Sequence, residues 1–173
     1  MRHKITTLTQ LIKNIENWAE ARNLIDGSTP KKQFIKLMEE FGELCSGVSK
    51  NKIDVVKDSI GDCFVVLTIM NAQCRNEATE TNANQSHLLE PTGHFRANSM
   101  DESLLRTAAK IGDIASKTAK PDDWDVNSLS NYLFLISKMA NLDFLDCVHH
   151  AYEQIRDRKG RMIDGVFVKE GDL

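Results

Sequence analysis

Apolar positions recur at helical spacing along most of the chain. Over 7–25, Leu8, Leu11, Ile12, Ile15, Trp18 and Leu24 stand about three or four apart behind a threonine suited to capping, which predicts an amphipathic helix. The DGSTP stretch at 26–30 combines turn residues with a cap and a proline, so a second helix is predicted from Lys31 to Val48. After the short connection KNKID, a third helix is predicted from Val55 to Ala72. Its core, VVKDSIGDCFVVLTIM, is rich enough in β-branched residues to read as a buried strand, but its length favours helix. Residues 76–102 show no sustained period and are interrupted by proline and glycine, which predicts a long surface loop. Further helices are expected at 102–119, at 127–140 and from Leu142 to Lys159. In RMIDGVFVKEGDL an Asp-Gly pair separates two short apolar runs, the one good strand signal, read as a small C-terminal hairpin. The fold class expected is therefore all-α: a bundle of five to six helices in one domain spanning 1–173.

The pattern also echoes itself. KLMEEFGELCSGVSK at 36–50 aligns without gaps on RTAAKIGDIASKTAK at 106–120, and SIGDCFVVLTIM at 59–70 on SLSNYLFLISKM at 128–139. A degenerate internal duplication accounts for this, and so does chance likeness between apolar helices. Glu39, Glu40, Glu43, Asp58 and Asp62 fall opposite Ala109, Lys110, Asp113, Asn127 and Asn131, so a duplication would leave one pair of helices acidic and turn the other into scaffold.

Composition narrows the function classes. The chain has 173 residues and a net charge of -3 with both signs interspersed, which gives no electrostatic footprint for nucleic acid or an anionic membrane. No apolar run approaches the roughly 20 residues that span a bilayer, and MRHKITTLTQ lacks the apolar core of a signal peptide. A cytoplasmic protein acting on a small diffusible substrate is expected. Cys45, Cys63, Cys74 and Cys147 form no CxxC pair and have no histidine at zinc spacing, so they read as small core hydrophobes.

The candidate chemistry is acidic. On a helix, Glu39 and Glu43 are one turn apart and Glu40 and Glu43 three residues apart, so an EExxE run places its carboxylates toward one side. Like charges at that spacing repel and call for a cation. Asp58 and Asp62 follow at i,i+4, with Asp62 directly before CFVVLTIM, where an unpaired carboxylate is costly. Four or five hard oxygen ligands on two helices suit Mg²⁺, or Mn²⁺, and such a metal serves phosphoryl chemistry by neutralising polyphosphate charge and activating water. The bland alternative is a solvated acidic helix face.

QFIKLMEEFGEL at 33–44 and KDSIGDCFVVL at 57–67 resemble the MazG-like branch of the all-α nucleoside triphosphate pyrophosphohydrolases, related to dimeric dUTPases and phosphoribosyl-ATP pyrophosphohydrolase. AYEQIRDRKGRMIDGVFVKE at 151–170 is similar to the C-terminal segment of phage-type members. The resemblance implies magnesium held by EExxE and ExxD carboxylates, cleavage between the α and β phosphates, and a homo-oligomer, dimer or tetramer. By position, Glu39, Glu40 and Glu43 match the first motif and Asp62 the aspartate of the second. The motif's second glutamate falls on Ser59, with Asp58 one residue earlier, and the family's C-terminal asparagine falls near Glu153.

The expected metal ligands are thus Glu39, Glu40, Glu43, Asp58 and Asp62, with Glu40 and Glu43 as the catalytic carboxylates. Trp18, Gln33, Lys36, Arg156 and Lys159 are the expected substrate contacts, on a nucleoside triphosphate. Several of these have a plainer role beside the functional one: Trp18 as core, Lys36 as the i,i+4 partner of Glu40, and Arg156, Arg158 and Lys159 as solvated cations. A dUTP- or phosphoribosyl-ATP-specific enzyme is one alternative function, and a non-catalytic helical protein binding metal or nucleotide is another. A di-iron bundle needs ExxH motifs, and His149 and His150 have no glutamate three residues before them.

Overall fold

The computed structural model describes residues 7–77, 89–117 and 121–172. Six α-helices are formed among them: α1 (Leu8–Ala21), α2 (Pro30–Ser49), α3 (Ile53–Glu77), α4 (Met100–Ser116), α5 (Asp123–Met139) and α6 (Phe144–Ile155). They are followed by a two-stranded antiparallel hairpin, β1 (Gly160–Ile163) and β2 (Val166–Lys169). The all-α bundle with a terminal hairpin is the architecture expected from the periodicity. No helix among the described residues is long and apolar enough to cross a membrane.

Local chemistry sets the helix ends. Thr7 caps α1 in a capping box with Gln10, Thr29 caps α2 with Pro30 behind it, Ser99 caps α4, and Asp122 and Asp143 cap α5 and α6. At the other ends, α1, α2 and α5 stop in the same way. Asn23, Asn51 and Asn141 adopt left-handed backbone (φ 56, 51 and 56°), and the next residue's N–H returns to the carbonyl five positions back: Leu24 to Ala19, Lys52 to Gly47, Leu142 to Ser137, each at 2.8 Å. This is the Schellman stop with asparagine in the place usually taken by glycine. Helix α1 therefore ends at Ala21, short of the limit at Ile25 that apolar spacing alone suggests, since Leu24 and Ile25 are buried from the turn rather than from the helix.

The strand alternative for residues 55–72 is overturned: α3 is helical throughout and extends to Glu77. It reads ambiguously because it packs against α1, α2, α5 and α6, so almost every position from Ser59 to Gln73 is buried and no polar stripe reveals a helical period. The expected long loop is shorter, because α3 supplies its first two residues and α4 begins at Met100; residues 78–88 in its middle lie outside the described residues. The last helix also ends early, at Ile155, and 156–159 form the turn into the hairpin.

Helices α2 with α3 and α4 with α5 form two packed helix pairs, and the echoed positions match in burial. Leu37 and Thr107, Leu44 and Ile114, Ile60 and Leu129, and Leu67 and Ile136 are buried alike. Ser59 and Ser128 are both buried with hydroxyls that find no partner among the described residues. Helix α6 crosses α3 at Gly61, where an added Cβ would meet the Cys147 carbonyl oxygen at 2.3 Å and the Ala151 Cβ at 2.7 Å. Only glycine permits that approach, which carries the start of the hairpin toward the acidic residues of α2 and α3.

Candidate functional site

Five carboxylates line one cleft of about 600 Å³. On α2, Glu40 lies at the edge of the buried stripe of Gln33, Phe34, Leu37 and Leu44, and Glu39 and Glu43 are exposed beside it. Asp58 and Asp62, one turn apart on α3, complete the acidic part of the lining. Leu24, Val65, Val66, Ile69 and Trp18 contribute its apolar part. Gln154 and Ile155 from α6, Arg158 from the turn after it, and Gly165 to Lys169 from the hairpin line it as well. The Asp164-Gly165 turn has φ of 50 and 76°, a two-residue hairpin loop with left-handed backbone at both positions.

The most enclosed of these carboxylates are Glu40 and Asp62. Glu40 is only 6% exposed, and Lys36 Nζ lies 2.7 Å from its carboxylate and 2.9 Å from that of Glu39. Burial alone pulls the Lys36 ammonium down, but the hydrogen bonds to Glu40 and Glu39 outweigh it and hold Lys36 above its ordinary value. Burial pushes the Asp62 carboxyl up to about 7, assisted by the charges of Glu40 and Asp58 and opposed by Arg158 and Lys36. Asp58 accepts a hydrogen bond from Gln154 Nε2 at 2.7 Å, and His150 Nε2 lies 3.5 Å from the same oxygen. Behind Asp62, burial first and then the neighbouring carboxylates hold the Cys63 thiol well above its usual range, which makes it an inert core residue.

The acidic side chains of the lining offer only carboxylate oxygens, a donor chemistry that suits a hard divalent cation. As arranged, no three histidine, cysteine, aspartate or glutamate side chains among the described residues converge closely enough to hold an ion. Lys36 is the physical reason on α2, since it draws Glu39 and Glu40 onto its own ammonium.

Trp18, Gln33, Lys36, Glu39, Glu40, Glu43, Asp58 and Asp62, all singled out in the sequence, are brought together on the cleft. Asp58, which rested on proximity alone, lies one turn from Asp62 on the cleft side, whereas Ser59 is 1% exposed and turned into the core. Arg156 and Lys159 are not brought to the cleft. Arg156 pairs with Glu153 at 2.7 Å and Asp157 at 3.1 Å, and Lys159 is exposed, its carbonyl accepting from the Glu170 N–H. The cations that do line it include Lys32, Arg158 and Lys169. Gln154, inside α6 and one position beyond Glu153, was not singled out in the sequence, and Arg158, named there only beside Arg156 and Lys159, is the one of the three that lines the cleft, past the early end of α6. The cleft-lining role of the hairpin carried no sequence signal.

At the echoed positions of α4 and α5 the chemistry has been exchanged. Lys110 stands opposite Glu40 and pairs with Asp113 at 3.1 Å and Asp125 at 3.4 Å. Asn131, opposite Asp62, accepts from the N–H groups of Thr92 and Gly93 at 3.0 and 3.1 Å and donates to Asn127. Where α2 and α3 open a cleft, α4 and α5 anchor a connecting segment.

No family model matches the chain, and no solved structure gives a significant match. It is 44% identical over 162 residues to an uncharacterized 18.2 kDa protein in the rep-hol intergenic region of Haemophilus phage HP1 (strain HP1c1), with 83% of this chain and 97% of that protein covered.

Proposed function

The chain belongs to one family with that phage HP1 protein, and we propose that it is a magnesium-dependent nucleoside triphosphate pyrophosphohydrolase, releasing nucleoside monophosphate and pyrophosphate. The observation that carries this reading is that Glu39, Glu40, Glu43, Asp58 and Asp62 line one cleft that also holds Lys32, Lys36, Arg158 and an apolar surface. Acid for metal, cations for phosphate and apolar area for a base are the three parts such a substrate needs. The resemblance of 33–44 and 57–67 to the MazG-like enzymes supports the same assignment.

In this reading Glu40, Glu43 and Asp62, with Glu39 and Asp58, hold Mg²⁺, and Mn²⁺ suits the same oxygens. Bound there, the metal would supply charge neutralisation and lower the pKa of a bound water. Lys36, released from Glu39 and Glu40, and Arg158 bind phosphate oxygens. Glu40 or Glu43 orients the water and takes its proton as the water oxygen bonds to phosphorus and the α–β anhydride breaks, with pyrophosphate as leaving group.

A product-resolved screen of common NTPs and dNTPs with Mg²⁺ tests this. Monophosphate and pyrophosphate in equal amounts are expected, with turnover lowered at least about a hundredfold by Glu43→Ala. Inorganic phosphate as the sole product sinks the reading, and nucleotide binding without turnover leaves a non-catalytic binding protein. The resemblance also implies a homodimer or homotetramer, which light scattering checks.

A further inference from the structure

Arg22, at the end of α1, does not line the cleft itself, but its guanidinium holds the segment that does. Nε and Nη2 donate to the Arg158 carbonyl at 3.0 and 2.8 Å, and Nη2 also donates to the Arg156 carbonyl at 3.2 Å. Nη1 donates to the Trp18 carbonyl at 3.3 Å, and the guanidinium carbon lies 4.8 Å from the Trp18 ring centroid, a contact that fixes the plane of the fork. One planar group thus serves the last turn of α1 and the turn that follows α6, where carbonyls have no intrahelical donor. The two arginines of that turn are used differently. The Arg156 side chain is taken up by Glu153 and Asp157 at 2.7 and 3.1 Å. Arg158 forms no ion pair among the described residues, and it lines the cleft together with the carboxylates of α2 and α3. Its backbone is pinned on both sides, the N–H donating to the Ile155 carbonyl at 2.8 Å and the carbonyl held by Arg22.

We propose that Arg22 is a positioning residue of the cleft: by pinning the turn after α6 it holds Arg158 on the cleft opposite the carboxylate wall, where Arg158 takes a phosphate oxygen of the bound nucleotide. The proposal rests on the cleft being a triphosphate site and adds that its cationic side is set from α1, through contacts made outside the cleft. Arg22→Lys keeps the charge and loses the fork, because an ammonium on a flexible stem cannot span two carbonyls while lying flat on an indole. Charge near the cleft and geometry of the turn are therefore separable.

Calorimetric titration of the full chain with tripolyphosphate and Mg²⁺ reads phosphate affinity without requiring turnover. Arg22→Lys should weaken binding about tenfold and Arg158→Gln by a similar factor, whereas the double variant should bind no more weakly than Arg158→Gln alone, because Arg22 acts only through Arg158. Wild-type affinity in Arg22→Lys overturns the proposal, as does a double variant in which the two factors multiply. A second measurement needs no substitution and stands even where Arg22→Lys fails to fold. In ¹⁵N NMR spectra of wild type, the Arg22 Nε–H should exchange slowly with solvent and keep its shift as tripolyphosphate is added, while the Arg158 Nε–H signal moves. A stationary Arg158 signal overturns the proposal, and movement of the Arg22 signal alone makes Arg22 itself the phosphate contact. If wild type binds tripolyphosphate and Arg22→Lys binds it equally well, the positioning role fails while the cleft assignment stands; if wild type binds none, both fail.

Discussion

Asp62 is pulled by opposing forces, burial with Glu40 and Asp58 on one side and Arg158 with Lys36 on the other, and the first set wins, leaving its carboxyl at about 7. A carboxyl raised on folding contributes stability that is complete below its ordinary value near 3.8 and is lost as the pH rises through 7. Asp62→Asn removes that loss. Urea unfolding of the metal-free protein should show the variant more stable than wild type by roughly 2 kcal/mol at pH 8, with the difference shrinking toward pH 4. A constant difference at both pH values counts against the charge argument. Ser59, next to Asp58, makes the opposite case: it falls where the resembled motif has its glutamate but is buried, its hydroxyl without a partner among the described residues. Ser59→Glu therefore buries a carboxylate in the core and should cost about 3 kcal/mol or more, whereas Ser59→Ala should be close to neutral in thermal unfolding.

Helix α6 and the hairpin are positioned by the crossing at Gly61, so the element-scale test is Gly61→Ala. The added methyl forces α6 off α3 and should lower stability by about 2 kcal/mol while displacing Gln154 and Arg158 from the cleft, seen as faster hydrogen exchange over 144–169 than over α1. Most elements were legible because their exposed faces are polar: α1, α2, α4 and α6 show a period in sequence. Helix α3 was ambiguous for the opposite reason, being surrounded on every side. The helix stops at Asn23, Asn51 and Asn141 were present as residue types but gave no boundary, since asparagine favours a turn without fixing which turn.

Across the whole molecule, the acidic pair α2 and α3 stands beside a pair, α4 and α5, that encloses an ion-pair cluster of its own. Asp125 is fully buried, held by Lys117 at 2.7 Å and Lys110 at 3.4 Å. Asp125→Ala should destabilise the protein by about 3 kcal/mol, because it removes the buried carboxylate that two ammonium groups share; under the proposed function, the folded fraction should keep the magnesium affinity of wild type. Chemical denaturation with a parallel metal titration measures both. EExxE and DxxxD made the acidic wall legible because local spacing suffices to place them. The facing wall comes from far along the chain, Gln154 meeting Asp58 across 96 positions, and depends on where α6 ends. That separation has a consequence for how the protein comes to work. The bond from Arg22 to the Arg158 carbonyl closes a loop of 136 positions, so the two walls of the cleft are made at very different times during synthesis. Until residues 156–169 have left the ribosome, the carboxylates of α2 and α3 lack Arg158 and the hairpin. A nascent chain, or one cut before Arg156, then carries the acidic wall without a finished pocket.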